Sequence, residues 1–391
     1  MKKLILLILI VLSARAVLPA DSLSFSLSQN MTDNLFQNRF AEKDQLSDFS
    51  LYLDKSFSQF TLFAEGKYSY LYENSDMASF VQDLGLDYIL PVNEKSAFYF
   101  SVAGRGAFYR TEYADFNYLA LNFFSAFKSY LSQTSILKIN YSLDYKNYRD
   151  SVYDFISNSL MFSFDKYFQS KTTIKAEADW GYKYFFSPYI FEEVVPVIDM
   201  TTHMGYQGRR KGSGPEYTPY AYQTVTETQG QGIQVFSLSG WIAQGLGNKI
   251  GFRISGMNQW VISGQNPFFF IEEYYIVENP SYDRFSWEGY QIGSQLTFIL
   301  PWNVQLVLGY TTSTKEFPGI ESLDLEGNPL GITRKDKKNQ FEVRAEKKFP
   351  RFSVFASYYY AQNSSNDSYF EWNGHFFSVG FEWNIPLGAK K

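Results

Sequence analysis

Side chains that most often carry acid–base or nucleophilic chemistry are scarce in this chain of 391 residues. There are two histidines, His203 and His375, and no cysteine, so thiolate metal sites and disulfides are excluded. The histidines are far apart in sequence, and neither stands in a recognisable Asp-His or Ser-His arrangement. Both are predicted to lie in loops. The sequence therefore predicts a protein that is not an enzyme, with no catalytic residue, cofactor site or metal ligand.

A basic triplet, Arg209, Arg210 and Lys211, is the second candidate for chemistry, and glycines flank it. Arginine binds phosphate and carboxylate in a bidentate way. The triplet is thus a candidate for contact with anionic groups such as phosphates. A solvated, flexible loop is the plain alternative. The formal net charge of −5 argues against a nucleic-acid partner, because phosphates require a basic face.

Much of the remaining charge alternates with apolar residues, which is the period of a β-strand. The segment 174–184 is the clearest case. Its apolar face carries Ile174, Ala176, Ala178, Trp180, Tyr182 and Tyr184. Its other face carries Lys175, Glu177, Asp179, Gly181 and Lys183. Across the chain, the charged faces supply these pore-lining candidates: Arg105, Lys175, Glu177, Asp179, Arg344 and Glu346. The segment 233–243 is apolar on both faces, so its sides remain unassigned.

The N-terminus has the organisation of a secretory signal peptide. Lys2 and Lys3 precede an apolar run, which ends before the small-x-small sequence Ala14-Arg15-Ala16. That run is about half of the roughly 20 residues that a membrane-spanning helix needs. We therefore expect residues 1–16 to be removed after export through the Sec pathway, with cleavage after residue 20 as the alternative. Residues 17–391 then form one domain.

Connections between the predicted strands alternate in length. Short ones fall near 55–59, 91–96, 132–135, 169–171, 245–249, 301–303 and 348–351. Longer ones fall near 29–45, 73–78, 111–117, 147–154, 187–231, 264–284, 313–338 and 362–374. Seven short and eight long connections join sixteen strands. The first strand, near 22–28, is short, and removing it together with a merged neighbour would give fourteen.

The ends of the apolar faces are aromatic. The face that starts at Phe60 passes through Leu62, Ala64 and Gly66 and ends in three tyrosines. An apolar band between two aromatic girdles is typical of a barrel that crosses a membrane. Near the C-terminus, the alternating residues are Phe377, Val379, Phe381 and Trp383. This segment resembles the C-terminal strand of outer-membrane barrels.

In its architecture, the whole mature chain resembles the porin-like outer-membrane β-barrels of Gram-negative bacteria. The resemblance implies an all-β fold, a closed antiparallel transmembrane barrel of about sixteen strands with short periplasmic turns and longer extracellular loops. It also implies contact with outer-membrane lipid and lipopolysaccharide, and insertion by the barrel assembly machinery. In such a barrel, the triplet Arg209, Arg210 and Lys211 would contact lipopolysaccharide phosphates or lie in a loop that folds inward and narrows the pore. The sequence leaves a homo-oligomer open.

Passive passage of small hydrophilic solutes is the function that we expect for such a barrel. A loop-plugged barrel that serves as a structural protein, an adhesin or a receptor is the alternative, and an outer-membrane hydrolase is the third. The charges of the candidate wall are mixed in sign, so the sequence does not predict a strongly selective pore. It identifies no particular solute.

Overall fold

The computed structural model describes residues 20–150, 153–186, 192–195, 221–224, 232–265 and 283–387. The predicted signal peptide, His203 and the basic triplet 209–211 lie outside these residues. The strands are β1 (Ser22–Thr32), β2 (Asp44–Phe57), β3 (Phe60–Leu71), β4 (Ser79–Asn93), β5 (Ser96–Tyr109), β6 (Tyr118–Ser132), β7 (Ser135–Tyr148), β8 (Phe155–Tyr167), β9 (Thr172–Phe185), β10 (Glu192–Val195), β11 (Ala221–Thr224), β12 (Gly232–Leu246), β13 (Ile250–Ser263), β14 (Glu288–Leu300), β15 (Val304–Leu323), β16 (Pro329–Lys348), β17 (Phe352–Ser365) and β18 (Trp372–Pro386). No helix in the described ranges is long and apolar enough to cross a membrane.

Within these ranges, sixteen strands form one closed barrel. Each strand pairs with its neighbours in sequence order, β9 pairs directly with β12, and β1 pairs antiparallel with β18 to close the sheet. The short strands β10 and β11 pair with each other in a separate sheet. The prediction of a closed antiparallel barrel with sixteen strands is therefore confirmed. The first strand is longer than predicted and pairs along its whole length with both β2 and β18.

One predicted loop is wrong. Residues 313–338 were expected to form a long connection, but β15 and β16 continue through most of this segment and leave only residues 324–328 between them. The tight turn is closed by the carboxylate of Asp324, which accepts hydrogen bonds from the backbone amides of Glu326 (2.9 Å) and Asn328 (2.8 Å). Gly327 supplies a positive φ of 86°, which glycine adopts without steric cost. The result is a long two-stranded hairpin.

Large apolar side chains mark the outer face of the barrel because they remain exposed. They include Leu84 and Leu86 on β4, Leu119 and Leu121 on β6, Leu238 and Ile242 on β12, and Ile254 on β13. Exposed apolar surface of this extent is typical of a membrane-facing surface. The closed ladder pairs the backbone groups of neighbouring strands, which a lipid environment requires. The residues that alternate with these side chains form the interior face.

Buried apolar side chains collect at the end of the barrel where the longer connections lie. One cluster contains Tyr148, Tyr153, Phe155, Phe185, Ile233, Val235 and Phe285. Two smaller clusters surround Met77 and Phe317. Ile233 and Val235 lie on the interior face of β12, which explains why the segment 233–243 is apolar on both sides. Its outer side meets the apolar surroundings, and its inner side meets the folded connections.

Candidate functional site

The interior face of β9 carries three of the predicted wall residues, and each is ion-paired. Lys175 and Glu177, two residues apart on the same strand, are joined at 2.7 Å between Nζ and Oε1. Asp179 accepts two hydrogen bonds from Arg284, at 2.7 and 2.9 Å. Arg284 belongs to the connection between β13 and β14, so this bidentate contact fixes that connection against the wall.

A second contact attaches the same connection to β9. The Lys183 ammonium lies 2.9 Å from a carboxylate oxygen of Asp283, and the two side chains are only 1% and 6% exposed. The ammonium also lies 4.1 Å from the ring centre of Phe155 and 5.0 Å from that of Phe185. Such cation–π contacts strengthen when water is excluded. Two adjacent ion pairs therefore clamp residues 283–284 to β9, and we call this arrangement the β9 clamp.

Arg105 forms a pair on a different part of the interior. It lies directly opposite Asp83 in the register of β4 and β5. Its Nε and Nη2 atoms donate to the two carboxylate oxygens of Asp83, at 2.7 and 2.9 Å. This planar, two-point geometry is the one that guanidinium and carboxylate groups favour. It crosslinks two neighbouring strands through their side chains.

Arg344 and Glu346 make a further pair on β16. Their Nη2 and Oε2 atoms are 3.2 Å apart, and Lys348 reaches the other oxygen of Glu346 at 3.3 Å. Arg344 also lies over the ring of Phe355, 4.6 Å from its centre. The partners of Glu346 lie along the same strand, so this group stiffens local side chains and does not crosslink distant parts of the wall.

The six predicted wall residues thus lie on the interior face in four separate ion-paired groups. The structure brings together Lys175 with Glu177 and Arg344 with Glu346, while Arg105 and Asp179 find partners that were not singled out as site residues. Those partners are Asp83, which lies on β4, and Arg284, which lies in a connection. No periodic signal in the sequence could have predicted the second contact, because it depends on how the connection folds back.

His375 lies on β18 and not in a loop, which corrects the sequence prediction. Its Nδ1 atom is 2.8 Å from the hydroxyl of Tyr358, and the ring of Tyr360 is 5.0 Å away, centre to centre. Its backbone amide donates to Asp33. Strand β18 simply begins three residues earlier than this histidine. Among the described residues, no three His, Asp or Glu side chains are grouped so that they could hold a metal ion.

A closed antiparallel barrel with an apolar outer face and an ion-paired interior has the architecture of porin-like outer-membrane barrels. No family model matches the chain, and no curated protein matches its sequence. Among solved structures, Acinetobacter baumannii OccAB1 has 8% sequence identity and a TM-score of 0.51, over 93% of this chain and 95% of that one.

Two structures from Pseudomonas aeruginosa match less closely. OccK3 (OpdO) has 8% identity and a TM-score of 0.48, over 93% of this chain and 96% of that one. The outer membrane protein OpdK has 9% identity and a TM-score of 0.45, over 94% of this chain and 100% of that one. At such low identity, the similarity to OccAB1 supports the fold alone.

Proposed function

We propose that this protein is a channel of the bacterial outer membrane through which small hydrophilic solutes pass passively. The observation that carries the proposal is the contrast between the two faces of one sheet. The outer face exposes large apolar side chains, whereas the interior face carries ion pairs such as Arg105–Asp83 and Lys175–Glu177. The Arg105 side chain is 41% exposed, as expected for a charged group that faces water, and barrels of sixteen strands are wide enough to enclose an aqueous channel.

Single-channel recording of the refolded protein in a planar bilayer tests this proposal. We expect stepwise currents in potassium chloride. Replacing Arg105 by Gln should change the ion selectivity, because it removes one positive charge from the wall. Gln295→Ala, on the interior face of β14, provides a control without a change of charge. A folded, inserted barrel that passes no current would contradict the proposal.

A loop-plugged barrel is the second candidate, and the β9 clamp is the observation that favours it. Together with the buried clusters, the clamp holds residues 283–287 inside one end of the barrel. Replacing Asp179 by Asn removes one ion pair of the clamp. A rise in conductance in this variant, or after deletion of residues 187–231, would indicate that connections restrict the pore. Zero conductance in every variant would favour the plugged barrel.

We also propose that the chain is exported with a cleavable signal peptide. A signal peptide predicts mature protein that starts at Val17 or at Asp21, which N-terminal sequencing of outer-membrane fractions would determine. Met1 retained in the folded protein would contradict Sec-dependent processing.

The triplet Arg209–Lys211 is proposed to contact anionic groups such as lipopolysaccharide phosphates. Replacing all three residues by Gln should then weaken cosedimentation with lipopolysaccharide vesicles.

A further inference from the structure

A cavity of about 250 Å³ lies on the interior side of β15 and β16, away from the β9 clamp. Its lining comes from the connection after β1, from the strands β14 to β18 and, through Phe370, from the connection between β17 and β18, so seven parts of the chain converge on it. Two of its lining residues are lysines, Lys315 on β15 and Lys338 on β16. Asp336 is the carboxylate in the lining. We call this cavity the basic pocket.

Strand register places the two lysines side by side. Lys315 lies opposite Asp336, and Ser313 lies opposite Lys338, so the lysines are diagonal neighbours on one face. Asp336 accepts from Nε of Arg334 at 3.1 Å and from the hydroxyl of Ser365 at 2.7 Å. Arg334, with only 1% of its side chain exposed, also donates from Nη2 to the other carboxylate oxygen at 2.5 Å. These four ionisable residues carry a formal charge of +2.

Aromatic rings position both ammonium groups. Lys315 lies 4.4 Å from the ring centre of Trp287, and Lys338 lies 5.2 Å from that of Trp372. Each contact restricts a flexible side chain. Rings placed in this way favour a defined position for the positive charge, where a solvated surface lysine would move freely.

Neutral donors complete the lining. The amide side chains are Gln37, Gln291, Gln340 and Asn363, and hydroxyl groups come from Thr311 and Ser313. Amide and hydroxyl groups can donate to an oxyanion without adding charge. Two ammonium groups beside several such donors, in a cavity large enough for a few heavy atoms, match the chemistry of carboxylate and phosphate groups.

We propose that the basic pocket binds a small oxyanion, a carboxylate or a phosphate group, as a binding station for anionic solutes in the barrel. The proposal that an anion binds rests on the geometry of the pocket alone. The role as a station on a solute path rests on the proposed channel function. A channel site must bind firmly enough to attract its solute and weakly enough to release it, so modest affinity is expected.

Isothermal titration calorimetry of the folded protein in detergent tests the binding. The probes are inorganic phosphate, succinate and the neutral analogue succinamide. We expect phosphate or succinate to bind and succinamide not to bind. Each of Lys315→Gln and Lys338→Gln should weaken binding by about tenfold, since one charge-assisted contact contributes roughly that factor. Lys337→Gln is the matched control, because it changes the same charge on the same strand but on the opposite face.

A second measurement uses the unaltered protein and does not depend on the folding of a variant. Phosphate or succinate should protect Lys315 and Lys338, but not Lys337, from acylation by an amine-reactive ester, as read by peptide mass spectrometry. The phosphate and succinate arms show which oxyanion the pocket prefers. Absence of protection, or binding of succinamide as tight as that of succinate, would refute anion binding by the basic pocket.

Conductance separates this inference from the proposed channel. Anion binding that persists in a barrel without current would refute the channel and leave the pocket intact. Current through a protein that shows neither anion binding nor protection of the lysines would support the channel and refute the pocket. If the double replacement Lys315→Gln, Lys338→Gln binds phosphate and succinate as the unaltered protein does, the pocket is refuted whatever the current.

Discussion

Two parts of the interior wall place lysines beside aromatic rings, with different outcomes. On β9, Lys183 is almost completely enclosed and pairs with Asp283 from a connection. On β15 and β16, Lys315 and Lys338 line a cavity, and the nearby carboxylate of Asp336 is held by Arg334. The comparison shows that an interior lysine becomes a structural clamp when a connection brings it a carboxylate. Where a single carboxylate, that of Asp336, lies beside an arginine and two lysines, the lysines line a cavity.

The strongest test of this contrast is to replace one lysine on each side by methionine. Lys183→Met leaves Asp283 buried without its cation, and breaking a buried pair in this way costs about 3–5 kcal/mol. Lys338→Met should cost much less, because this side chain lines a cavity. Denaturant unfolding in lipid vesicles measures both. Adding Asp283→Asn should restore much of the stability of Lys183→Met, and equal losses at the two lysines would refute the distinction.

The next test asks whether β9 separates lipid from water as its alternation indicates. Ala178→Arg places a charge on the outer face and should lower stability by about 2–4 kcal/mol. Glu177→Arg, one residue away on the interior face, should have a smaller effect and should shift selectivity towards anions. Vesicle unfolding and reversal potentials in a salt gradient measure the two effects.

Glu177→Gln is the control for the interior site, because Glu177 is paired with Lys175. It removes the charge without introducing a second cation beside Lys175. A large loss of stability with arginine and a small loss with glutamine would assign the cost to repulsion. Equal destabilisation by Ala178→Arg and Glu177→Arg would mean that the two faces of β9 do not meet lipid and water.

A smaller effect is expected at Arg105, whose pair with Asp83 lies apart from both lysine sites. The arginine side chain is 41% exposed, so water screens the attraction and Arg105→Gln should cost no more than about 1 kcal/mol. A double-mutant cycle with Asp83→Asn, followed by vesicle unfolding, measures the coupling. A coupling as large as that of Lys183 with Asp283 would show that burial does not separate clamps from ordinary wall pairs.

The smallest effect concerns the turn that closes the β15–β16 hairpin beyond the basic pocket. Hydrogen bonds from the Asn328 side chain, and then from its backbone amide, lower the pKa of Asp324. Because the folded pKa lies below the unfolded value, the contribution of this carboxylate is complete above the unfolded pKa. It is lost as the pH falls through the folded pKa.

Hydrogen exchange of peptides that cover residues 320–332, compared with Asp324→Asn at each pH, measures this local loosening. The difference between the two proteins should change only in the acidic range, and peptides from β9 should show no such change. A difference that is the same at every pH would contradict the role of the Asp324 carboxylate.

Much of this fold could be predicted because a period of two assigns faces as well as strands. The alternation in 174–184 predicted that Lys175 and Glu177 share one face, and in the structure they form an ion pair. The two incorrect predictions from the sequence have local causes. The segment 313–338 is rich in polar residues, so its continuation as a hairpin was missed, and β18 begins before His375.

Contacts between distant segments could not be predicted from the sequence, for a different reason. The contact of Arg284 with Asp179 joins residues more than 100 positions apart, and it depends on the path of a connection. The basic pocket likewise needs the register of β15 and β16 together with the connection after β1. Neither the composition nor the periodicity of a single strand contains that information.

The pairing of β1 with β18 has a consequence for how the molecule forms. Most strands meet a sequence neighbour and can assemble as local hairpins, but this seam joins Ser22 to Pro386. Contacts between residues so far apart in the sequence are slow to form, because the intervening chain must first be organised. The seam is therefore expected to be the kinetic bottleneck of folding. Until it forms, β1 and β18 would present unpaired edges able to capture strands from other chains.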